Sequence, residues 1–276
     1  MQHLVDTPQV CGILGDPVAA SLSPLIHNAG YLALGIDRQY RYAPFRVDKA
    51  NLPAALAGMR ALGIRGFSVT MPHKEAIIPL LDRLDPAVTA IGAANTVVND
   101  NGTLTGFNTD WLGIARPVQA LGLADTAHVV VLGSGGAARA AAFALHQLNL
   151  PTTIVARSIE AGARIASLFN QKSIPWAALA NLKDVTLVIN TTPIGMHPNH
   201  DQSPVPRSFW NSSMVAFDTV YIPRRTVMLH DAFSAGARVL YGTSMLLEQA
   251  YEQFRLFTGR EAPTQAMESA IEAMAP

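Results

Sequence analysis

Four short stretches of this sequence hold residue types whose spacing could do chemistry. Gly133-Ser134-Gly135-Gly136-Ala137-Ala138 follows an apolar, β-branched run and opens a small-residue helical pattern. That context is what a dinucleotide-binding turn requires. Gly133 permits the tight turn, Gly135 lets a pyrophosphate approach the backbone, and the small Ala138 allows close packing of a helix whose first N–H groups face the phosphates. Cofactor choice should be written at the end of the following strand, where a carboxylate would bind the ribose 2′-hydroxyl and an arginine would accept a 2′-phosphate. Arg157 stands there, and no Asp or Glu lies between His146 and Ile159. The reading is NADP, with NAD possible. Arg157 could also be no more than a solvated charge at the start of a helix.

The second stretch is Gly15-Asp16-Pro17, then Ser21-Leu22-Ser23-Pro24, then His27-Asn28. In an extended segment Ser21 and Ser23 share a side, and Pro24 at the first helical position would make Ser23 the N-cap. Two hydroxyls beside a helix N-terminus form a compact carboxylate site, whereas capping alone accounts for one serine and not the pair. The third stretch, Gly66-Phe67-Ser68-Val69-Thr70-Met71-Pro72-His73-Lys74, predicts a strand followed by a proline-started helix with Lys74 in its first turn. A cation is unfavourable there, which makes the amine readier to exchange a proton; a surface lysine is the plain alternative. The fourth, Gly106-Phe107-Asn108-Thr109-Asp110, puts a carboxylate just before a helix holding Trp111 and Leu112, where by itself it would be an N-cap. Asn95 offers an amide that can donate to one hydroxyl and accept from another, or simply form a turn.

The elements that must position these groups alternate. Val10–Gly15, Gln39–Val47 and Gly66–Met71 read as strands, with helices at Pro24–Leu34 and Leu52–Leu62 between them. A second series has strands at Ala127–Leu132, Thr152–Ala156, Val185–Ile189, Met214–Phe217 and Arg238–Tyr241, and a helix at Gly136–Leu148. The expected class is α/β, with βαβ units and mainly parallel sheets. Residues 1–106 with 243–276 are expected to form a substrate domain and residues 107–242 a dinucleotide-binding Rossmann domain. Two C-terminal helices, Met245–Phe257 and Pro263–Met274, are expected to pack back on the first domain.

At 276 residues, 49% hydrophobic and 14% charged, the chain has material for two cores. Twenty basic and twenty acidic residues cancel, so nothing in the net charge calls for nucleic acid or a membrane surface. The lone Cys11 fits a reducing, cytoplasmic setting, and Met1–Gln9 lacks the pattern of a secretory leader. His197-Pro198-Asn199-His200-Asp201 is a poor frame for metal ligands, and no metal is expected.

Taken in order, these segments resemble the shikimate dehydrogenase family. The likeness runs from Gly15 to about Pro263 and also includes Asn190-Thr191-Thr192-Pro193-Ile194-Gly195-Met196, Asp218 to Pro223, and Met245-Leu246-Leu247-Glu248-Gln249. It implies reversible oxidation of shikimate to 3-dehydroshikimate on the route to chorismate and the aromatic amino acids. Lys74 and Asp110 become the catalytic pair. Ser21 and Ser23 would hold the carboxylate; Thr70, Asn95, Asp110 and Gln249 would bind ring hydroxyls; Tyr221 would close the pocket. Gly133, Ser134, Gly135, Gly136, Ala137, Arg157, Thr191 and Gly242 would bind the dinucleotide. The implied partner is a cyclic polyol carboxylate, and a monomer or a homodimer is compatible with the sequence. Ser68 stands where the family commonly has Asn, Ser244 replaces a usual glycine, and the basic cluster near the ribose is reduced to Arg157 with Arg164. A quinate or aminoshikimate paralogue, or a dinucleotide sensor without turnover, remains an alternative.

Overall fold

Two rhythms of apolar side chains become two compact units in the computed structural model, which describes residues 7–273. The first unit extends through Thr109 and resumes at Gln249; the second is Asp110–Glu248. In the first, β1 (Gln9–Gly15), α1 (Ser23–Ala33), β2 (Tyr40–Arg46), α2 (Leu52–Ala61) and β3 (Gly66–Val69) alternate as the sequence predicts. The two-residue β4 (Arg83–Leu84), α3 (Pro86–Ile91), β5 (Thr96–Asp100) and β6 (Thr103–Phe107) complete it, in the sheet order β2-β1-β3-β5-β6-β4.

This sheet is mainly parallel, as expected, with β5 as its one reversed strand. β1 runs parallel to β2 and β3, and β4 to β6, but β5 is antiparallel to both β3 and β6. The reversal is made by Asn101 and Gly102, with φ of 52° and 89°, the left-handed pair that a two-residue hairpin turn requires. Two reversals restore the original direction. The carboxyl ends of β1, β3 and β6 and the amino end of β5 therefore share one edge of the sheet.

The second unit begins with α4 (Asp110–Ala120) and continues through β7 (His128–Leu132), α5 (Gly136–Gln147), β8 (Thr152–Ala156), α6 (Ile159–Leu168), β9 (Lys172–Pro175), β10 (Val185–Asn190), β11 (Val215–Asp218), α7 (Val227–Ser234) and β12 (Arg238–Leu240). Its sheet, ordered β12-β11-β10-β7-β8-β9, is parallel throughout. Strands covered on both faces should be apolar without alternation, and Val129 to Leu132 and Leu187 to Ile189 are fully buried. The order steps outward in both directions from β7 and β10, so a crevice opens beyond their carboxyl ends.

Two helices follow, α8 (Gly242–Thr258) and α9 (Thr264–Glu272). The latter half of α8 and all of α9 belong to the first unit, and α9 packs on α1, as the sequence predicts. The end of the expected second helix, Met274, lies outside the described residues. α1 buries Ser23, Ile26, His27, Gly30 and Tyr31, a single face at helical spacing. Among the described residues no helix is long and apolar enough to cross a membrane.

His27 lies inside this packing, its ring stacked on Tyr42 with centroids 4.3 Å apart and planes at 0°, and with Phe254 and Phe257 close by. Burial pulls its pKa from 6.5 down to about 3. The folded state thus prefers the neutral ring, so this contribution is complete above pH 6.5 and is lost as pH falls toward 3. Denaturant titrations should show the wild type losing about 1.4 kcal/mol per pH unit relative to His27→Phe below pH 6.5; parallel curves for the two proteins would remove His27 from the acid response.

Candidate functional site

On the shared edge of the first sheet, the loop after β1 carries Ser21 and Ser23. Their hydroxyls meet: Ser21 Oγ donates to Ser23 Oγ at 3.2 Å and accepts the Ser23 N–H at 3.2 Å. The approach is a turn and not an extended strand. Leu22, in αR geometry, is the N-cap residue, and Ser23 opens α1 without capping it. The expected cap is therefore displaced by one residue while the hydroxyl pair stands.

After β3, Thr70 N–H donates to Leu14 O and Asp16 N–H to Met71 O, each at 3.0 Å. This close crossing needs Gly15, where a Cβ would lie 2.3 Å from the Thr70 methyl. Lys74, half-buried, does not sit in the first turn of a helix. Its carbonyl accepts the Ala94 N–H at 2.8 Å, so Ile78 N–H turns to Glu75 O and only a short 3-10 turn, Ile78–Leu80, forms. No helix dipole therefore acts on its amine. What fixes the lysine is tertiary: the buried His73 beside it places its ring nitrogen 2.7 Å from Val47 O.

Asn95 is strapped between neighbouring strands, Val69 N–H donating to its carbonyl at 2.6 Å and its own N–H to Phe107 O at 3.1 Å. Its side-chain oxygen accepts from Thr96 Oγ1 (2.9 Å) and Thr109 N–H (2.7 Å), while Nδ2 donates to Thr109 Oγ1 at 2.9 Å. The oxygen is thus committed to the protein, where the sequence suggested a second hydroxyl partner. Ser21, Ser23, Thr70, Lys74 and Asn95 therefore stand at one end of one sheet, and Gln249 is buried in the same unit on α8. Asp110, 5% exposed, is the first residue of α4, directly after Thr109, and so lies inside the helix start and not before it as an N-cap.

In the second unit, Gly133 has φ of 121° and comes so close to Thr191 that a Cβ would lie 2.7 Å from its Oγ1. Thr191, at the end of β10, donates to Leu132 O from both N–H (3.0 Å) and Oγ1 (2.6 Å). Gly135 precedes α5 with no side-chain cap, and no protein atom lies within 4 Å of a Cβ built on Gly135 or Gly136. Uncapped helix N–H groups beside open space fit a pyrophosphate, while Ala138 is fully buried beneath them. Ser134 and Ala137 are half-buried on the same turn, and Arg157 is exposed just past β8. Gly242 opens α8 against the Val220 backbone. Tyr221 is half-buried, and burial pushes its hydroxyl pKa up. No cluster of three metal-ligating side chains occurs among the described residues.

Two sets of residues escape a reading of the sequence. One is Tyr42, Thr96 and Gln253, which together with Ser68, noted in the sequence only as a departure from the family's usual Asn, form a buried polar layer beneath Asn95; Gln253 falls four residues after Gln249, the spacing that shares a helix face. The other is Asp218, at the end of β11. Its carboxylate accepts from Asn190 Nδ2 (2.9 Å), Val220 N–H (3.0 Å) and Thr226 Oγ1 (2.6 Å), tying together the loops that carry Thr191 and Tyr221. Burial outweighs these bonds and pushes its pKa up to about 6.

The profile described as the shikimate dehydrogenase substrate binding domain matches residues 13–97, and the shikimate 5'-dehydrogenase C-terminal domain matches residues 242–272. The shikimate dehydrogenase (NADP(+)) of Methanothermobacter thermautotrophicus is 40% identical over 95% of both chains. That of Moorella thermoacetica is 42% identical over 94% of this chain and 91% of its own. The crystal structure of shikimate 5-dehydrogenase from Thermus thermophilus in complex with NADP(H) and shikimate superimposes with a TM-score of 0.88 at 34% identity, covering 96% of this chain and 99% of that one.

Because folding raises the Asp218 pKa, protonation favours the folded state: its contribution is complete below pH 3.8 and is lost as pH rises through about 6. Asp218→Asn preserves the acceptor toward Asn190 and Val220 and turns an amide NH2 group toward Thr226, whose hydroxyl can accept from it. The wild type should therefore gain about 1.4 kcal/mol per pH unit relative to the variant as pH falls from 6 to 4. Urea denaturation across that range, followed by a probe in this unit, measures the difference, and a constant gap would refute the assignment.

Proposed function

That the chain belongs to the shikimate dehydrogenase family is the premise from which we propose its reaction: reversible reduction of 3-dehydroshikimate to shikimate with NADPH. It is an oxidoreductase acting on a CH–OH group. The observation that carries the substrate reading is the single sheet edge holding a hydroxyl pair, Thr70, Lys74 and Asn95. Ser21 and Ser23 take the substrate carboxylate; Thr70, Asn95 and Gln249 take ring hydroxyls, and Asp110 takes the one that reacts.

The nicotinamide, when bound, supplies the hydride and takes it back. Lys74 exchanges the proton of the reacting hydroxyl, since a carbinol carbon cannot release hydride without its oxygen losing a proton in the same event. Asp110 hydrogen-bonds that hydroxyl and orients it toward the amine. Tyr221 covers the ring and excludes water. The first unit is the substrate domain and the second the dinucleotide domain, with the α5 N-terminus, Ser134, Ala137, Thr191 and Gly242 around the cofactor.

NADP is the cofactor, and Arg157 is the group assigned to its 2′-phosphate. A cytoplasmic setting suits Cys11, which is fully buried and whose thiol burial pushes up to about 12. Shikimate, quinate and their amino analogues, each assayed with NADP and NAD, should single out shikimate with NADP. Preference for quinate would reassign the substrate.

Lys74→Ala should lower kcat by at least about a hundredfold while dinucleotide affinity stays unchanged, and undiminished turnover would remove the lysine from the chemistry. Arg157→Ala should raise the KM for NADP about tenfold and leave that for NAD unaltered. Equal effects on both dinucleotides would show that the guanidinium does not read the 2′-phosphate.

A further inference from the structure

Beneath the substrate edge of the first unit runs an unbroken line of hydrogen bonds, and each donor in it points the same way. Tyr42 Oη donates to Ser68 Oγ at 2.6 Å, and Ser68 Oγ to Gln253 Oε1 at 2.6 Å. Gln253 Nε2 donates to Thr96 Oγ1 at 2.9 Å and to Asn95 O at 3.4 Å. Thr96 Oγ1 then donates to Asn95 Oδ1. Tyr42, Ser68, Gln253, Thr96 and Asn95 are all buried.

Each hydroxyl in the line has one proton, and the Gln253 amide has one acceptor end and one donor end. Fixing the direction at Gln253 therefore makes the Thr96 hydroxyl a donor to Asn95 Oδ1, a second anchor for the oxygen edge that the Thr109 N–H also holds. A glutamine 1% exposed is costly unless its amide is bonded at both ends. Gln253 meets that condition only at one rotation of α8, and Gln249, one turn earlier, lies on the same helix face.

We infer that Gln253 is a positioning residue for substrate binding, setting the Asn95 amide through Thr96 and the Gln249 side chain through the rotation of α8. Ser68 is the link that holds its oxygen end. The inference rests on the proposed roles of Asn95 and Gln249 toward ring hydroxyls.

The test uses the full-length protein with Gln253→Met, which keeps volume and removes the amide, Ser68→Ala, which removes the link, and the double variant. Wild-type turnover of 3-dehydroshikimate with NADPH is measured first, and its absence would overturn the proposed reaction. With turnover established, the variant-to-wild-type ratios decide the present inference.

Gln253→Met should raise the KM for 3-dehydroshikimate about tenfold, change kcat by less than about threefold, and leave dinucleotide affinity unaltered. Ser68→Ala should raise KM by a smaller factor. The double variant should match Gln253→Met, because the two residues act through one line of bonds. A purely structural glutamine would lower the thermal midpoint and leave KM as in the wild type. That outcome, or factors that multiply in the double variant, would overturn the inference. Should Gln253→Met fail to fold, Ser68→Ala decides by itself, a raised KM supporting the role and an unchanged KM ending it.

Discussion

At both candidate binding edges a buried side-chain amide finds partners for its donor and its acceptor alike, and that constraint shapes the geometry there. Strands end there, so main-chain groups run out of ladder partners just where side chains must be held still. In the first unit Asn95 solves this with main-chain straps to both neighbouring strands and a side-chain oxygen shared by Thr96 and Thr109. In the second, Asn190 uses its whole amide, donating to Ile194 O and Asp218 and accepting from the Thr192 N–H and hydroxyl.

The two solutions differ in charge. The layer under the first edge consists of hydroxyls, amides and a histidine that burial keeps neutral. The second relies on one carboxylate, surrounded by donors yet buried enough that its proton is held to about pH 6. Acid therefore acts on the units in opposite senses. The hydroxyl and amide layer under Asn95 carries no charge that changes over the range in which Asp218 titrates, so its hydrogen bonds are indifferent to that range.

The parallel sheet of the second unit, its glycine turn and the α1 face were legible because each is a local pattern: continuous apolar strands, glycines at fixed offsets, helical spacing. The β5–β6 hairpin is announced by Asn101-Gly102, but its flanking strands are only five residues each and mix apolar with polar side chains, a weak pattern beside the longer apolar runs. Lys74 was misplaced on a helix because a proline after a strand ordinarily starts one. The competing bond from Ala94, twenty residues away in sequence, has no local signature. Gln253 and Tyr42 were illegible for the same reason: their meaning is a set of contacts among α8, β3 and β2, and each alone reads as an ordinary helix or strand position, while Ser68 was visible as a departure from the family's usual Asn but its partners were not.

The departure from an all-parallel sheet has a consequence for precision. After residues 70–95 the chain re-enters the sheet antiparallel as β5, and the two-residue turn at Asn101-Gly102 then brings β6 back to the same edge. Thr96 thereby stands opposite Ser68 on one side and Phe107 on the other. Asn95, one residue earlier, is gripped by both strands at the point where the sheet opens to substrate. An amide held that way has little freedom to adapt to a differently arranged ring, so in the proposed reading rigidity of the β3-β5-β6 end is what lets Asn95 discriminate among cyclic polyols, and residues that preserve it matter as much as those that touch the ligand.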